Sequence, residues 1–207
     1  MHAFILDLRK FLAVFAPLLS VASGLPQLAR AARRSSDGVS LTTWVLLVAL
    51  AELWFVYGLF ASVLAEIVTN TLTGGISVLV VVLVARERGQ LRVQLVRTGA
   101  VTIGVVGFAL LCLVAHRPSV EAALAVSCSL GIFAPQCWTA LRRHEMTGVS
   151  PATWLLAFLA ALSWGAYGLL LHRLPVYLPS VAMVPMSLVI MLRALVRRPV
   201  LRAQTVS

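Results

Sequence analysis

Seven apolar runs, each long enough to cross a bilayer, leave this chain few folds. A hydrocarbon core of ~30 Å needs about 20 residues of helix. Within it, backbone polar groups must be paired inside the protein. The runs are Phe11–Ala29, Leu41–Phe60, Ser62–Ala85, Val96–Ala115, Val120–Leu141, Pro151–Leu171 and Leu174–Val196. The joint at Phe60-Ala61-Ser62 carries no charge and little turn signal. It is placed there because the apolar block is too long for one helix. A soluble core cannot absorb so much apolar surface: 60% of the 207 residues are hydrophobic and 12% charged, with mean hydropathy +0.97, against roughly half and a quarter in soluble domains. The net charge of +10 does not point to nucleic acid, because the basic residues lie between the runs rather than in one stripe.

Arginine and lysine orient the spans. With the N-terminus outside, 13 of the 17 basic residues fall in inner segments and 4 in outer ones. That is a positive-inside bias, and an even number of spans would scramble it. The expected address is a multi-pass cell membrane, with the C-terminus cytoplasmic.

The chain also repeats itself, with an offset of 109 or 110 residues. Pro26-Gln27 matches Pro135-Gln136, Arg33-Arg34 matches Arg142-Arg143, and the Gly-Val-Ser of Gly38 to Ser40 matches that of Gly148 to Ser150. Trp44 and Trp54 match Trp154 and Trp164, and Tyr57-Gly58 matches Tyr167-Gly168. The segment around Arg9-Lys10 and Phe11 to Leu19 imitates a secretory signal. As the repeat partner of Val120 to Leu141, it is read as the first span. The expected fold is all-α and integral to the membrane, with seven transmembrane helices as two parallel three-helix bundles joined by a linker helix (3+1+3). The repeats run over 1–90 and 118–198, the linker over 91–117 and a cytoplasmic tail over 199–207. A solute site is expected on the pseudo-twofold axis between parallel repeats, near mid-depth.

Pro26 and Pro135 sit near the inner ends of the first and fifth spans. Each removes a backbone bond and clashes with the carbonyl four residues earlier, at Ala22 and Gly131. Two symmetric kinks follow, and with Gln27 and Gln136 they read as hinges of an inner gate. Trp54 lies ~20 Å from the inner end of its helix, and Asn70 lies ~12 Å from the outer end of the next, so they share a depth. Trp44 and Trp154, near the inner boundary, read as interface-belt residues. An aromatic face beside an amide suits a neutral polyhydroxylated ligand. Glu52 is a carboxylate at a costly depth. It lies about 200° around the helix from Trp54, so the two cannot both face one cavity, and proton coupling is a role open to it. Glu66, nearer the outer end, reads as solvated. His172 and Arg173 belong to an outer loop.

No Ser/His/Asp trio, glycine-rich phosphate loop or metal-ligand spacing occurs, so neither an enzyme nor a cofactor or metal site is expected. Cys112, Cys128 and Cys137 all fall within spans and make no disulfide framework.

The order Pro-Gln, basic loop, Gly-Val-Ser, Trp, Trp-x-x-Tyr-Gly, then Thr69-Asn70 resembles the SWEET and SemiSWEET sugar transporters of the PQ-loop superfamily, as a two-repeat bacterial member. The resemblance implies pocket roles for Trp54, Trp164 and Asn70, gating roles for Pro26 and Pro135, outer-gate positions for Tyr57 and Tyr167, and alternating access without an energy source. The second pocket asparagine is replaced by Ser180, twelve residues after Gly168. Its shorter hydroxyl leaves more room and fewer hydrogen bonds. Pro179 and Pro185 make the last helix less regular than the third, which has Gly74-Gly75. The expected partners are the lipid bilayer and a small neutral polar solute, first a mono- or disaccharide; the sequence is also compatible with a homo-oligomer. The rival readings are a proton-coupled amino-acid or amine exporter of the wider superfamily, and a non-transporting receptor or scaffold of the same fold.

Overall fold

The computed structural model describes residues 2–61, 64–142, 146, 149–172 and 174–196. Its elements are α1 (His2–Ala32), α2 (Leu41–Ala61), α3 (Leu64–Glu87), α4 (Leu91–Val114), α5 (Pro118–Gly131), α6 (Ala134–Arg142), α7 (Pro151–Leu170) and α8 (Leu174–Val196). Among the described residues, seven helical segments are long and apolar enough to cross a membrane, α5 and α6 together supplying one of them, Ala122–Arg142. The protein is therefore all-α, with seven spans. Residue 62 of the α2–α3 joint, Arg143, Gly148, Arg173 and the 199–207 tail lie outside the described residues.

α1 packs chiefly against α7 and α3, α2 against α3, and α7 against α8. α5 lies between α2 and α8. α4 stands at the side against α2, α3 and α5, and only Gln94, Ala109 and Cys112 of it are buried. Val96, Ile103, Leu111 and Val114 are exposed on it. In water this would be a liability, but here such faces contact the bilayer. The packed core gathers at the end that carries the Pro-Gln pairs, around Trp44, Val80, Val84, Phe133, Trp154 and Ile190.

The Gly-Val-Ser motifs start α2 and α7. Ser40 Oγ accepts from Thr43 N–H at 3.3 Å, and Ser150 Oγ accepts from Thr153 N–H at 3.3 Å. Each hydroxyl thus caps one of the donors that a helix start leaves orphaned. Val39 and Val149, just before the caps, are buried. Gly38 turns the chain at φ 76°, a conformation that glycine adopts without a Cβ penalty.

What closes these loops comes from the other half of the chain. Gln136 Oε1 accepts from Ser40 N–H at 2.6 Å, and its Nε2 donates to Gly38 C=O at 2.9 Å. Gln27 Oε1 accepts from Ser150 N–H at 2.9 Å. Both glutamines are 1% exposed. The Pro-Gln and Gly-Val-Ser motifs are therefore two parts of one exchanged interaction.

The two prolines sit in different helical contexts: one span stays a single helix and the other is interrupted. α1 continues without interruption through Pro17 and Pro26. The fifth span breaks at Ile132 and Phe133, and α6 restarts one residue before Pro135. A proline in the first turn of a helix forfeits no bond, since its N–H would be unpaired anyway. The carbonyl that Pro135 crowds belongs to Gly131, a weak helix former, whereas Pro26 crowds that of Ala22, a strong one. The break also lets the buried Phe133 ring meet Trp154 edge-on, with centroids 4.9 Å apart.

The Tyr-Gly glycines set how closely the following helix approaches. A Cβ on Gly168 would lie 2.6 Å from Tyr177 N, and one on Gly58 would lie 2.9 Å from Glu66 Cβ. Gly168→Ala must move α8 backbone, and overpacking of this kind costs about 1–3 kcal/mol. Gln136→Leu leaves Ser40 N–H and Gly38 C=O without their partner, at about 1–3 kcal/mol for each buried group. Both variants are expected to lower the unfolding midpoint in detergent by about 2–4 °C per kcal/mol. An unchanged midpoint in Gln136→Leu would remove the exchanged clip from the account of stability.

Candidate functional site

A cavity of about 210 Å³ lies between the two halves, above the packed end. It is walled by α1, α2, α3, α5, α7 and α8, with Phe133 also at its edge. Its size suits a small solute rather than a drug-sized one, whose sites run to about 300–1,000 Å³. Trp54, Asn70, Trp164 and Ser180, four residues read from the sequence as contact groups, all line it.

The two tryptophans are fixed by matching bonds across the halves. Trp54 Nε1 donates to Ser129 Oγ at 3.2 Å, and Trp164 Nε1 donates to Ser20 Oγ at 2.9 Å. Each serine in turn donates to a carbonyl one turn back, Ser20 to Ala16 at 2.9 Å and Ser129 to Ala125 at 2.8 Å. Such back-bonding fixes the hydroxyl and leaves a lone pair for the indole. Ser20 and Ser129 each stand six residues before their proline. Motif spacing left them unmarked, although aligning the two copies residue by residue would have found them.

Trp44 and Trp154 correct the interface-belt expectation. They are 4% and 2% exposed and line the cavity at its packed end. Both lie only a few residues inside their helices, but they belong to a buried apolar cluster with Val39, Phe133 and Val149.

Glu66 is the other correction. Instead of facing solvent, it lines the cavity. Its Oε2 and backbone carbonyl both accept from Asn70 Nδ2, at 3.1 Å and 2.9 Å. One helical turn separates the two residues, which is the spacing at which side chains on a helix meet. The close approach of α3 at Gly58 sets Glu66 against α2 rather than in water.

Glu52 is turned away from the cavity, as its angle from Trp54 requires. Its Oε1 accepts from Thr102 Oγ1 of α4 at 2.6 Å, while its buried Oε2 has no hydrogen-bond partner among the described residues. Tyr57 and Tyr167 pack edge-on against the tryptophans of their own helices, at 5.4 and 6.0 Å between centroids, and do not line the cavity. Pro26, Gln27, Pro135 and Gln136 also lie outside its lining, in the packed end beneath. His172 is exposed. Cys112 is buried in α4, and Cys128 and Cys137 are half-buried.

Loss of either Trp–Ser bond frees an indole that now has one orientation. Ser129→Ala is expected to remove about 1 kcal/mol of this restraint. The same change should broaden the Trp54 side-chain resonance in a tryptophan-labelled sample. A sharp, unshifted resonance would show that packing alone holds the ring.

A family model described as PQ loop repeat matches residues 122–177. That segment runs from α5 through the Pro-Gln pair, the loop, α7 with Trp164, and into the start of α8. No curated protein matches the chain. The match lies in the second copy of the internal repeat and supports the PQ-loop superfamily.

Proposed function

We propose that the chain is a membrane transporter that carries a small polar solute by alternating access, as a facilitator. Two parallel three-helix repeats, 1–90 and 118–198, flank the site, and 91–117 links them. Seven apolar spans and the PQ loop repeat point to a membrane transporter or related protein. The observation that carries the finer reading is a cavity between the halves with matched residues facing across it. Trp54 answers Trp164, Asn70 answers Ser180, and Trp44 answers Trp154.

Below the cavity the exchanged glutamine clips and the Phe133–Trp154 contact pack one end shut. Opening that end means separating loops held by the other half, with the break before Pro135 as the point where the fifth span can bend. Tyr57 and Tyr167, each beside a cavity tryptophan, stand where the opposite gate would close. The positive-inside count supports a cytoplasmic clipped end, and the protein is read as one of the cell membrane. The residue set favours a hydroxylated solute of mono- or disaccharide class. Indole faces pack on C–H surfaces, while the amide and hydroxyls meet polar groups. A proton-coupled exporter is the rival, with Glu52 as its coupling group.

Uptake of labelled solute into proteoliposomes tests the site. Trp54→Ala and Asn70→Ala are expected to slow uptake at least about tenfold, the loss of about 1.4 kcal/mol of binding. Uptake should be indifferent to an imposed pH gradient. Equal rates in the wild type and both variants would sink the pocket assignment. A gradient-driven rate that Glu52→Gln abolishes would favour the exporter.

A further inference from the structure

Glu66 breaks the match between two walls of the cavity. α3 presents Glu66 and Asn70 where α8 presents Val176 and Ser180, and all four line the cavity. A carboxylate on one wall therefore answers a branched apolar side chain on the other. The proposed pocket of tryptophans, amide and hydroxyl leaves this carboxylate without a task.

The Glu66–Asn70 contact fixes what the α3 wall can do. Asn70 Nδ2 donates to Glu66 C=O at 2.9 Å and to Glu66 Oε2 at 3.1 Å. Both its hydrogens are spent, and with an oxygen at each of them the amide has one orientation. The amide expected to offer donors as well as an acceptor is left with Oδ1 alone. Glu66 keeps Oε1. Neither oxygen accepts from another described residue. Two acceptors, one of them a carboxylate oxygen, therefore stand one helical turn apart on one wall, joined by the nitrogen between them.

We propose that Glu66 is a solute-contacting residue, and that Glu66 Oε1 and Asn70 Oδ1 accept from two neighbouring hydroxyls of a neutral sugar. A vicinal diol carries two O–H donors on adjacent carbons, which suits two adjacent acceptors, and hydrogen bonds accepted by a carboxylate are the stronger kind. The C–H face of the same ring is left to pack on indole. Val176, at the matching place on α8, makes no such demand, so the diol turns to α3. The inference rests on the cavity being the solute site of the proposed transporter, and it names the group of that solute which the wall recognises.

Calorimetric titration of the purified full chain in detergent tests it, with glucose and the analogues that each lack one hydroxyl. Two analogues, missing neighbouring hydroxyls, are expected to bind at least about tenfold more weakly than glucose. Glu66→Gln leaves Asn70 an acceptor and turns the other oxygen into a donor. It is expected to weaken glucose about tenfold while costing one of those two analogues less than about twofold, the signature of a direct contact. Equal affinities of glucose and all its analogues for the wild type overturn the inference without recourse to any variant. A loss in Glu66→Gln shared alike by glucose and every analogue also overturns it, because Glu66 then only holds the wall. Proteoliposome flux of glucose at the wild-type rate in Glu66→Gln overturns it and leaves the transport reading intact. The coupled losses without flux of glucose support it and overturn the transport reading instead.

Discussion

A buried glutamine that pairs with a loop of the other half is the interaction on which the rest of the structure depends. Just before α2 and α7 the backbone around Gly38, Val39, Val149 and Ser150 is buried, and its polar groups need partners there. Gln136 satisfies both a donor and an acceptor around Gly38 and Ser40, and Gln27 reaches Ser150 from α1. With the loops fixed, the serine caps set where α2 and α7 begin. The starts of those helices in turn set the height of Trp44, Trp54, Trp154 and Trp164. The proline before each glutamine is then partly a device for aiming it, because it settles the backbone just where the side chain must leave its helix.

Most of the architecture was legible because the physics that produces it is one-dimensional. Runs of apolar residues must become helices in lipid, and arginine spacing sets how often the chain crosses. The shared depth of Trp54 and Asn70 followed from rise per residue, and both do reach one cavity. The angle between Glu52 and Trp54 followed from helical twist, and the carboxylate does turn to α4. The errors arose where a third dimension decides. Trp44 and Trp154 looked interfacial by depth, yet both are buried in the apolar cluster of the packed end. Glu66 looked solvated by its distance from a helix end, yet Gly58 draws its helix against α2. The prolines looked equivalent in sequence. The residues they crowd, Ala22 and Gly131, are not, and only one span breaks.

The tryptophan bonds show how the cavity keeps its shape without a core around it. Each indole is held by a serine from the far half, and each serine is held by its own helix. Two rings are thereby oriented by short relays rather than by dense packing. This suits the proposed solute site, because packing tight enough to orient a ring would fill the volume.

Fusing two copies in one chain has a geometric consequence at the α3 and α8 walls. Two identical copies about a twofold axis would show a guest the same wall twice, and the guest could sit either way round with equal energy. Here Glu66 faces the site from one side and Val176 holds the matching place on the other. The degeneracy is lifted, and an asymmetric guest has one preferred heading. In the transporter proposed above, it would approach the mouth at one face of the membrane along a different edge from the one it presents at the other. On that reading the barriers to entry from the two faces need not be equal, even when the concentrations are.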